Sequence, residues 1–68
     1  MNTYRILRSR QSLIQPGSTV TWWERSHRMI GIVIRREHDH FLIEDHTGYH
    51  YRILHEKVES LTARQLKR

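Results

Sequence analysis

The chain has 68 residues, 37% of them hydrophobic and 28% charged, with 12 basic and seven acidic side chains and a formal charge of +5. That length suits one domain, and a domain near this size buries only about 60% of the surface that its unfolded chain exposes. The sequence has no cysteine, which excludes disulfides and thiolate zinc sites. No apolar run approaches the roughly 18 residues of a membrane span, and the first residues lack a signal peptide's apolar core, so we expect a cytoplasmic protein without membrane association.

Residues 1–15 are the first predicted segment, a short helix or an extended arm. Four apolar residues recur in it at a spacing of seven, which suits a helix: Ile6, Leu7, Leu13 and Ile14. An edge strand over residues 4–7 is the alternative. Pro16 and Gly17 end the segment, because proline disfavours helical geometry in the residue before it and glycine tolerates a turn.

The predicted core domain, residues 16–61, begins with an alternating strand. Val20 and Trp22 fall on the same side of this strand, as expected where one face is buried. A polar connection, residues 24–28, then leads to the second strand.

The second predicted strand, residues 29–36, is apolar on both faces. Gly31 in its middle predicts a bulge or a close approach of two backbones. Val33 belongs to the core face, whereas three isoleucines alternate onto the opposite face: Ile30, Ile32 and Ile34. This opposite face needs a cover, which is either the N-terminal segment or a second copy of the chain, so a monomer and a weak homodimer both remain open.

The third predicted strand, residues 40–45, continues into a hairpin. Residues 46–48 read as a three-residue loop with Gly48 in the left-handed conformation. This loop length sets the cross-strand pairs: Asp45 with Tyr49, Glu44 with His50, Ile43 with Tyr51, Leu42 with Arg52, and Phe41 with Ile53. A loop one residue shorter would place an arginine opposite Ile43 and mix charge into the core.

The end of the chain completes a small barrel. Residues 54–57 predict a tight turn or one 3₁₀ turn, residues 58–61 a short closing strand, and residues 62–68 a basic tail. The predicted core comprises Val20, Trp22, Val33, Phe41, Ile43, Tyr51 and Ile53. The expected fold is therefore mainly β, with five strands in one barrel.

Several short stretches occur in an order that is familiar from one group of folds: Pro16-Gly17, Val20-Thr21-Trp22, Gly31-Ile32-Val33, Gly48-Tyr49-His50-Tyr51-Arg52-Ile53, and Val58 to Leu61. This order resembles small SH3-like barrels of the Tudor and KOW kind, over about residues 16–61. The sequence departs from that pattern at Ser18, where an acidic residue often stands, and in the first loop, which lacks the usual glycine. Such barrels bind RNA, DNA, ribosomes, polymerases or peptides, so the resemblance implies an SH3-like fold and leaves the ligand open.

The charge is distributed unevenly along the chain. Residues 1–36 hold seven arginines against one glutamate, for a charge of +6, whereas residues 37–63 carry −4 and the last five residues +3. Ten of the twelve basic residues are arginine, which forms bidentate contacts with phosphate or carboxylate. An anionic partner, nucleic acid above all, is the first hypothesis. The alternative is a solvated basic surface that aids solubility.

Aromatic and arginine side chains interleave in a way that suits RNA or DNA, because rings stack on bases and guanidinium groups bind phosphates. The predicted nucleic-acid-binding residues are Arg5, Arg8, Arg10, Trp23, Arg25, Arg28, Arg35, Arg36, Tyr49 and Arg52. Trp22 and Tyr51 fall on the core face and are expected to be packing residues instead.

Catalytic and metal chemistry find little support in the sequence. The chain has six histidines, but His38 and His40 lie roughly 13 Å from Glu44 and His50 at about 3.3 Å per residue along a strand, too far for one metal ion. The acidic residues cluster at turns, and the chain is too short to enclose a sizeable pocket. We therefore expect neither an enzyme nor a cofactor.

Two functional hypotheses follow. The first is a small, basic, non-catalytic nucleic-acid-binding module. The second is a protein-interaction module that binds and regulates a larger nucleic-acid machine or a host enzyme. Its predicted interface is the face formed by Ile30, Ile32 and Ile34, together with the acidic hairpin.

Overall fold

The computed structural model describes residues 13–61, which form one antiparallel sheet. Its elements are β1 (Thr19–Glu24), β2 (His27–Arg36), β3 (His40–Glu44), β4 (His50–Leu54), a 3₁₀ turn (His55–Lys57) and β5 (Glu59–Ser60). The spatial order of the strands is β4-β3-β2-β1-β5. The prediction of a mainly β fold with five strands is confirmed. The predicted helix or arm before residue 13 and the basic tail after residue 61 lie outside the described residues.

The sheet is not closed into the predicted barrel. β5 pairs with β1 through two residues, Ser60 opposite Val20 and Glu59 opposite Thr21. Within residues 13–61, β4 and β5 are the two edges of the sheet. The described chain is thus compatible with a small barrel-like fold without completing one. Residues 13–61 contain no helix of the length and apolar character that crossing a membrane requires.

The first connection is tighter than predicted. Glu24 pairs with His27, so the turn contains only two residues, Arg25 and Ser26. Arg25 has a φ of 59°, in the left-handed region that non-glycine residues seldom adopt. Arg25 therefore adopts the left-handed conformation that a glycine usually supplies, and the first loop contains no glycine.

Gly31 marks a close approach of two backbones, as predicted, but not the bulge. A Cβ atom at this position would lie 2.5 Å from Cγ2 of Ile43 and 2.9 Å from the carbonyl oxygen of Glu44. The bulge lies three residues further on, where Val33 pairs with Ile43 but Arg35 pairs with Leu42. Because one extra residue is inserted, Arg36 turns toward the core side and its guanidinium lies 5.1 Å from the Phe41 ring centre.

The β3–β4 hairpin has the predicted register. Glu44 pairs with His50, Ile43 with Tyr51, Leu42 with Arg52, and Phe41 with Ile53. Gly48 has the expected positive φ, 90°. One Asp45 oxygen accepts hydrogen bonds from the backbone N–H and hydroxyl of Thr47 and from the Tyr49 N–H, and the other accepts from the Tyr51 hydroxyl. These bonds satisfy the loop's donors and fix its length.

The core lies on one face of the sheet. Its buried residues are Ile14, Val20, Trp22, Val33, Phe41, Ile43 and Val58, with Met29, Tyr51 and Ile53 partly buried against them. Five of the seven predicted core residues are thus fully buried, and the remaining two are half-buried because β4 is an edge strand. Ile14, expected in the arm, joins this core, and its carbonyl oxygen accepts a hydrogen bond from Arg36.

Candidate binding surfaces

The side of the sheet opposite the core, here called the outer face, carries the three isoleucines of β2. Ile30 is 54% exposed, Ile32 51% and Ile34 37%. Cross-strand pairing places Thr21 beside Ile30, and Thr19 beside Ile32. Directly opposed residues share a face of a sheet, so these threonines lie on the same side as the isoleucines, although Thr21 itself is buried. The predicted placement of the isoleucines opposite the core is confirmed.

The predicted cover of this face is not present among residues 13–61. Of the four apolar residues proposed for it, Ile14 packs into the core and Leu13 is 74% exposed. Ile6 and Leu7 lie outside the described residues. The outer face therefore presents a row of exposed aliphatic side chains on β2, and exposed apolar patches of this kind mark interaction sites.

A shallow groove of about 480 Å³ runs over this face. Its lining residues are Thr19, Ile30, Gly31, Ile32, Ile34, Glu44, Asp45 and His46. Gly31 contributes to the groove because β2 and β3 approach closely there. The groove thus has an aliphatic floor and a polar rim formed by the start of the β3–β4 loop.

One glutamate lines the groove and a second lies on the same face, outside its lining. Glu44 lies opposite Ile32 on β3, and its oxygen is 3.9 Å from Nε2 of His50. Glu59 lies opposite Thr21 on β5, one strand away from Ile30. The position of Glu44 was predictable from the pairing of the β3–β4 hairpin. The position of Glu59 was not, because it depends on β5 pairing with a strand almost 40 residues earlier.

A basic and aromatic patch occupies the β1–β2 end of the outer face. The Nε of Arg28 donates to the Thr21 hydroxyl at 2.6 Å, and that hydroxyl donates to the Met29 carbonyl at 2.7 Å. The Arg28 guanidinium lies 5.6 Å from the Trp23 ring centre, within the range of a cation–π interaction. Trp23 is 61% exposed, and Arg25 occupies the adjoining turn. Three predicted nucleic-acid-binding residues are thus brought together here.

The other predicted arginines of the sheet are mostly engaged within it. Nε of Arg35 donates to a Glu37 oxygen at 2.8 Å, and Arg52 lies 3.6 Å from the other oxygen of the same carboxylate. The hydrogen bond from Arg35 lowers the pKa of Glu37. Arg36 bonds the Ile14 carbonyl. Arg35 and Arg52 therefore already have an anionic partner, which phosphate would have to displace.

Four predicted nucleic-acid-binding residues remain, Tyr49 and the three arginines before residue 13. Tyr49 is 65% exposed and packs edge-on against Tyr51, with ring centres 4.9 Å apart. Arg5, Arg8 and Arg10 lie outside the described residues.

The β2–β3 turn holds a cluster of titratable groups. His40 contacts both Asp39 and Glu37. The hydrogen bond to Asp39, followed by that to Glu37, raises the pKa of His40. The same contact with His40 lowers the pKa of Asp39. Within residues 13–61, no three such side chains are arranged to hold a metal ion.

The charge of the described sheet differs from that of the whole chain. Residues 13–61 contain six basic and seven acidic side chains, for a formal charge of −1, whereas residues 1–12 and 62–68 together carry +6. The net positive charge of the protein thus lies entirely in these two terminal stretches.

The described residues define a small, open, five-stranded antiparallel sheet with an exposed aliphatic face. Comparison of the chain with protein-family models, curated proteins and solved structures finds no match.

Proposed function

We propose that this protein is a small, non-catalytic protein-binding module whose partner docks on the outer face of the sheet. The observation that carries this proposal is the row of Ile30, Ile32 and Ile34 on β2, each at least 37% exposed. Fully burying an aliphatic side chain contributes about 1.5 to 3 kcal/mol. Covering three that are about half-exposed would then contribute roughly 2 to 4 kcal/mol to binding.

The SH3-like assignment belongs to the same proposal. It is supported by the strand order β4-β3-β2-β1-β5 and by the 3₁₀ turn immediately before β5. The close approach at Gly31 and the hairpin at Gly48 are further support, because both glycines belong to the stretches that resemble Tudor and KOW barrels. In this proposal the sheet is a scaffold, and the binding chemistry resides on its outer face.

Site-specific photo-crosslinking tests the proposal. A photoreactive phenylalanine analogue replaces Ile32 in the full-length chain, which is then irradiated in a lysate of its source organism. We expect a discrete protein adduct that excess unlabelled chain suppresses and that excess Ile30→Thr, Ile32→Thr chain does not. Threonine keeps the β-branching that favours strands while removing the aliphatic surface.

The matched control places the same photoreactive group at Glu56, an exposed position in the 3₁₀ turn. The same adducts from both positions, or equal suppression by the threonine variant, would contradict docking on the outer face. Circular dichroism of the threonine variant verifies that its fold is retained.

A second candidate function is nucleic-acid binding by the β1–β2 end of the sheet together with the basic termini. Its specific support is the Arg28 guanidinium held over the exposed Trp23 ring, beside Arg25. Stacking of one base on Trp23 would contribute about 1 to 3 kcal/mol. We rank it second because the sheet itself carries −1 and two of its arginines share Glu37.

A salt titration with single-stranded oligonucleotide tests this second function. The slope of log affinity against log salt should become shallower by about 0.7 for each phosphate contact removed. Arg25→Gln and Arg28→Gln should each flatten it, whereas Arg35→Gln, the control, should not, because Arg35 is held by Glu37. Affinity that does not depend on salt would remove nucleic acid as a ligand.

A further inference from the structure

Two glutamates lie on either side of the isoleucine row, although the chain carries +5. Glu44 is directly opposite Ile32 on β3, and Glu59 lies on β5, opposite Thr21 and separated from the isoleucines by β1. Asp45, on the groove rim, is already bonded to Thr47, Tyr49 and Tyr51. Glu44 is therefore the carboxylate of the groove lining that is available to a ligand, and Glu59 lies one strand beyond the lining.

Among residues 13–61, no arginine or lysine forms an ion pair with either glutamate. Arg28 donates to the hydroxyl of Thr21, the residue opposite Glu59, and packs on the Trp23 ring, whereas Arg35 is paired with Glu37. His46 lies on the rim and His50 is 3.9 Å from Glu44. An anionic ligand lying along the isoleucines would meet Glu44 directly and Glu59 across β1, so nucleic acid is disfavoured along this row.

From this pattern we propose that the outer face binds a protein segment in which aliphatic side chains are flanked by arginine or lysine. The inference rests on the proposed function and specifies its partner. The aliphatic side chains of the segment cover Ile30, Ile32 and Ile34, while its cations reach Glu44 and Glu59. Alternate side chains of a strand are roughly 6.6 Å apart, so Ile30 and Ile32 offer two regularly spaced contacts, and Ile34 adds a third at the bulge.

Peptide selection tests the partner's chemistry. A displayed library of random 12-residue peptides is panned against the immobilised full-length chain at moderate salt. Non-specific attraction to a protein of charge +5 would enrich acidic peptides. We expect the opposite result, enrichment of arginine or lysine next to leucine, isoleucine or valine, which only the local acidic field of the groove would produce.

Charge reversal supplies the decisive comparison. The double variant Glu44→Lys, Glu59→Lys should bind the selected basic peptides roughly 2- to 30-fold more weakly, because it replaces two exposed ion pairs of modest strength by repulsion. The control Glu24→Lys, Glu56→Lys raises the net charge by the same amount but changes residues away from the outer face: Glu24 alternates with Val20 and Trp22 on the core side of β1, and Glu56 lies in the 3₁₀ turn. Its affinity should stay within about twofold of the parent's at moderate salt, where distant charges are screened.

Failure of this inference differs from failure of the proposed function. Peptides that depend on Ile30 and Ile32 but show no basic enrichment would overturn the cationic partner and leave the docking face in place. Peptides whose binding is indifferent to Ile30→Thr, Ile32→Thr would overturn the docking face itself. Basic enrichment that appears only after Ile6→Ser, Leu7→Ser would also overturn the inference, because the chain's own first residues would then be the occupant.

Discussion

Replacing Gly31 with alanine tests the close packing of β2 on β3, on which the shape of the groove depends. The added Cβ would lie 2.5 Å from Cγ2 of the fully buried Ile43 and 2.9 Å from the Glu44 carbonyl oxygen, well inside the 3.5 to 4.0 Å of a favourable carbon contact. Overpacking of this kind costs about 1 to 3 kcal/mol, while alanine regains about 0.5 to 1 kcal/mol of the conformational cost of glycine. Because neither neighbour can withdraw without moving the β2–β3 ladder, we expect a net loss of about 2 kcal/mol.

Urea denaturation followed by tryptophan fluorescence measures this loss. A domain of this length has a total stability of about 3 to 10 kcal/mol, so the midpoint should fall clearly while the slope is retained. Gly48→Ala is the control. Its Cβ would meet nothing closer than 3.7 Å, but its φ is 90°, so its cost of about 1 to 2 kcal/mol comes from the backbone and Gly48→Asn should recover part of it. A Gly31→Ala variant as stable as the parent would refute the close approach.

Three further predictions concern the core and the titrating turns. Phe41→Ala should cost about 3 to 5 kcal/mol and leave the chain mostly unfolded by circular dichroism; cooperative melting near the parent's temperature would contradict the core assignment. Because Asp39 and Glu37 raise the pKa of His40 above 6.5, protonated His40 stabilises the fold below pH 6.5 and this contribution is lost as pH rises through the higher folded value. His40→Gln should abolish that dependence in pH-resolved melts, and an unchanged profile would count against the cluster. The Thr47 hydroxyl and the Tyr51 hydroxyl lower the pKa of Asp45 below its usual 3.8. The stability that ionised Asp45 contributes above pH 3.8 should therefore decline as the pH falls toward the lower pKa of the folded state, and the decline should be less steep in Asp45→Asn. Equal slopes of the two proteins in acid denaturation would refute this.

Features that depend on neighbouring residues were predictable from the sequence. The hairpin register followed from the three-residue loop ending at Gly48, because a shift of one residue would have moved charge into the core. The burial of Val20, Trp22, Val33, Phe41 and Ile43 followed from alternation with a period of two. The same alternation placed the β2 isoleucines on the opposite face.

Features that depend on distant residues were not predictable. The bulge between Val33 and Arg35 shifts the pairing of the last β2 residues, and nothing in the local pattern located it there rather than at Gly31. It places Arg35 across from Leu42, in the same row as Arg52 on β4. Both arginines approach Glu37, which is why two predicted phosphate ligands have a carboxylate partner instead.

The sequence by itself determined the strands, the β3–β4 hairpin and the aliphatic face, since each follows from side-chain alternation and local backbone preference. Only the tertiary structure decided that Ile14 joins the core and that Glu59 lies beside Thr21 at the border of the outer face. It also decided that Arg28 packs over Trp23. These neighbours come together through strand pairing, and the free energy of pairing depends on residues far apart in the chain, which a local pattern does not encode.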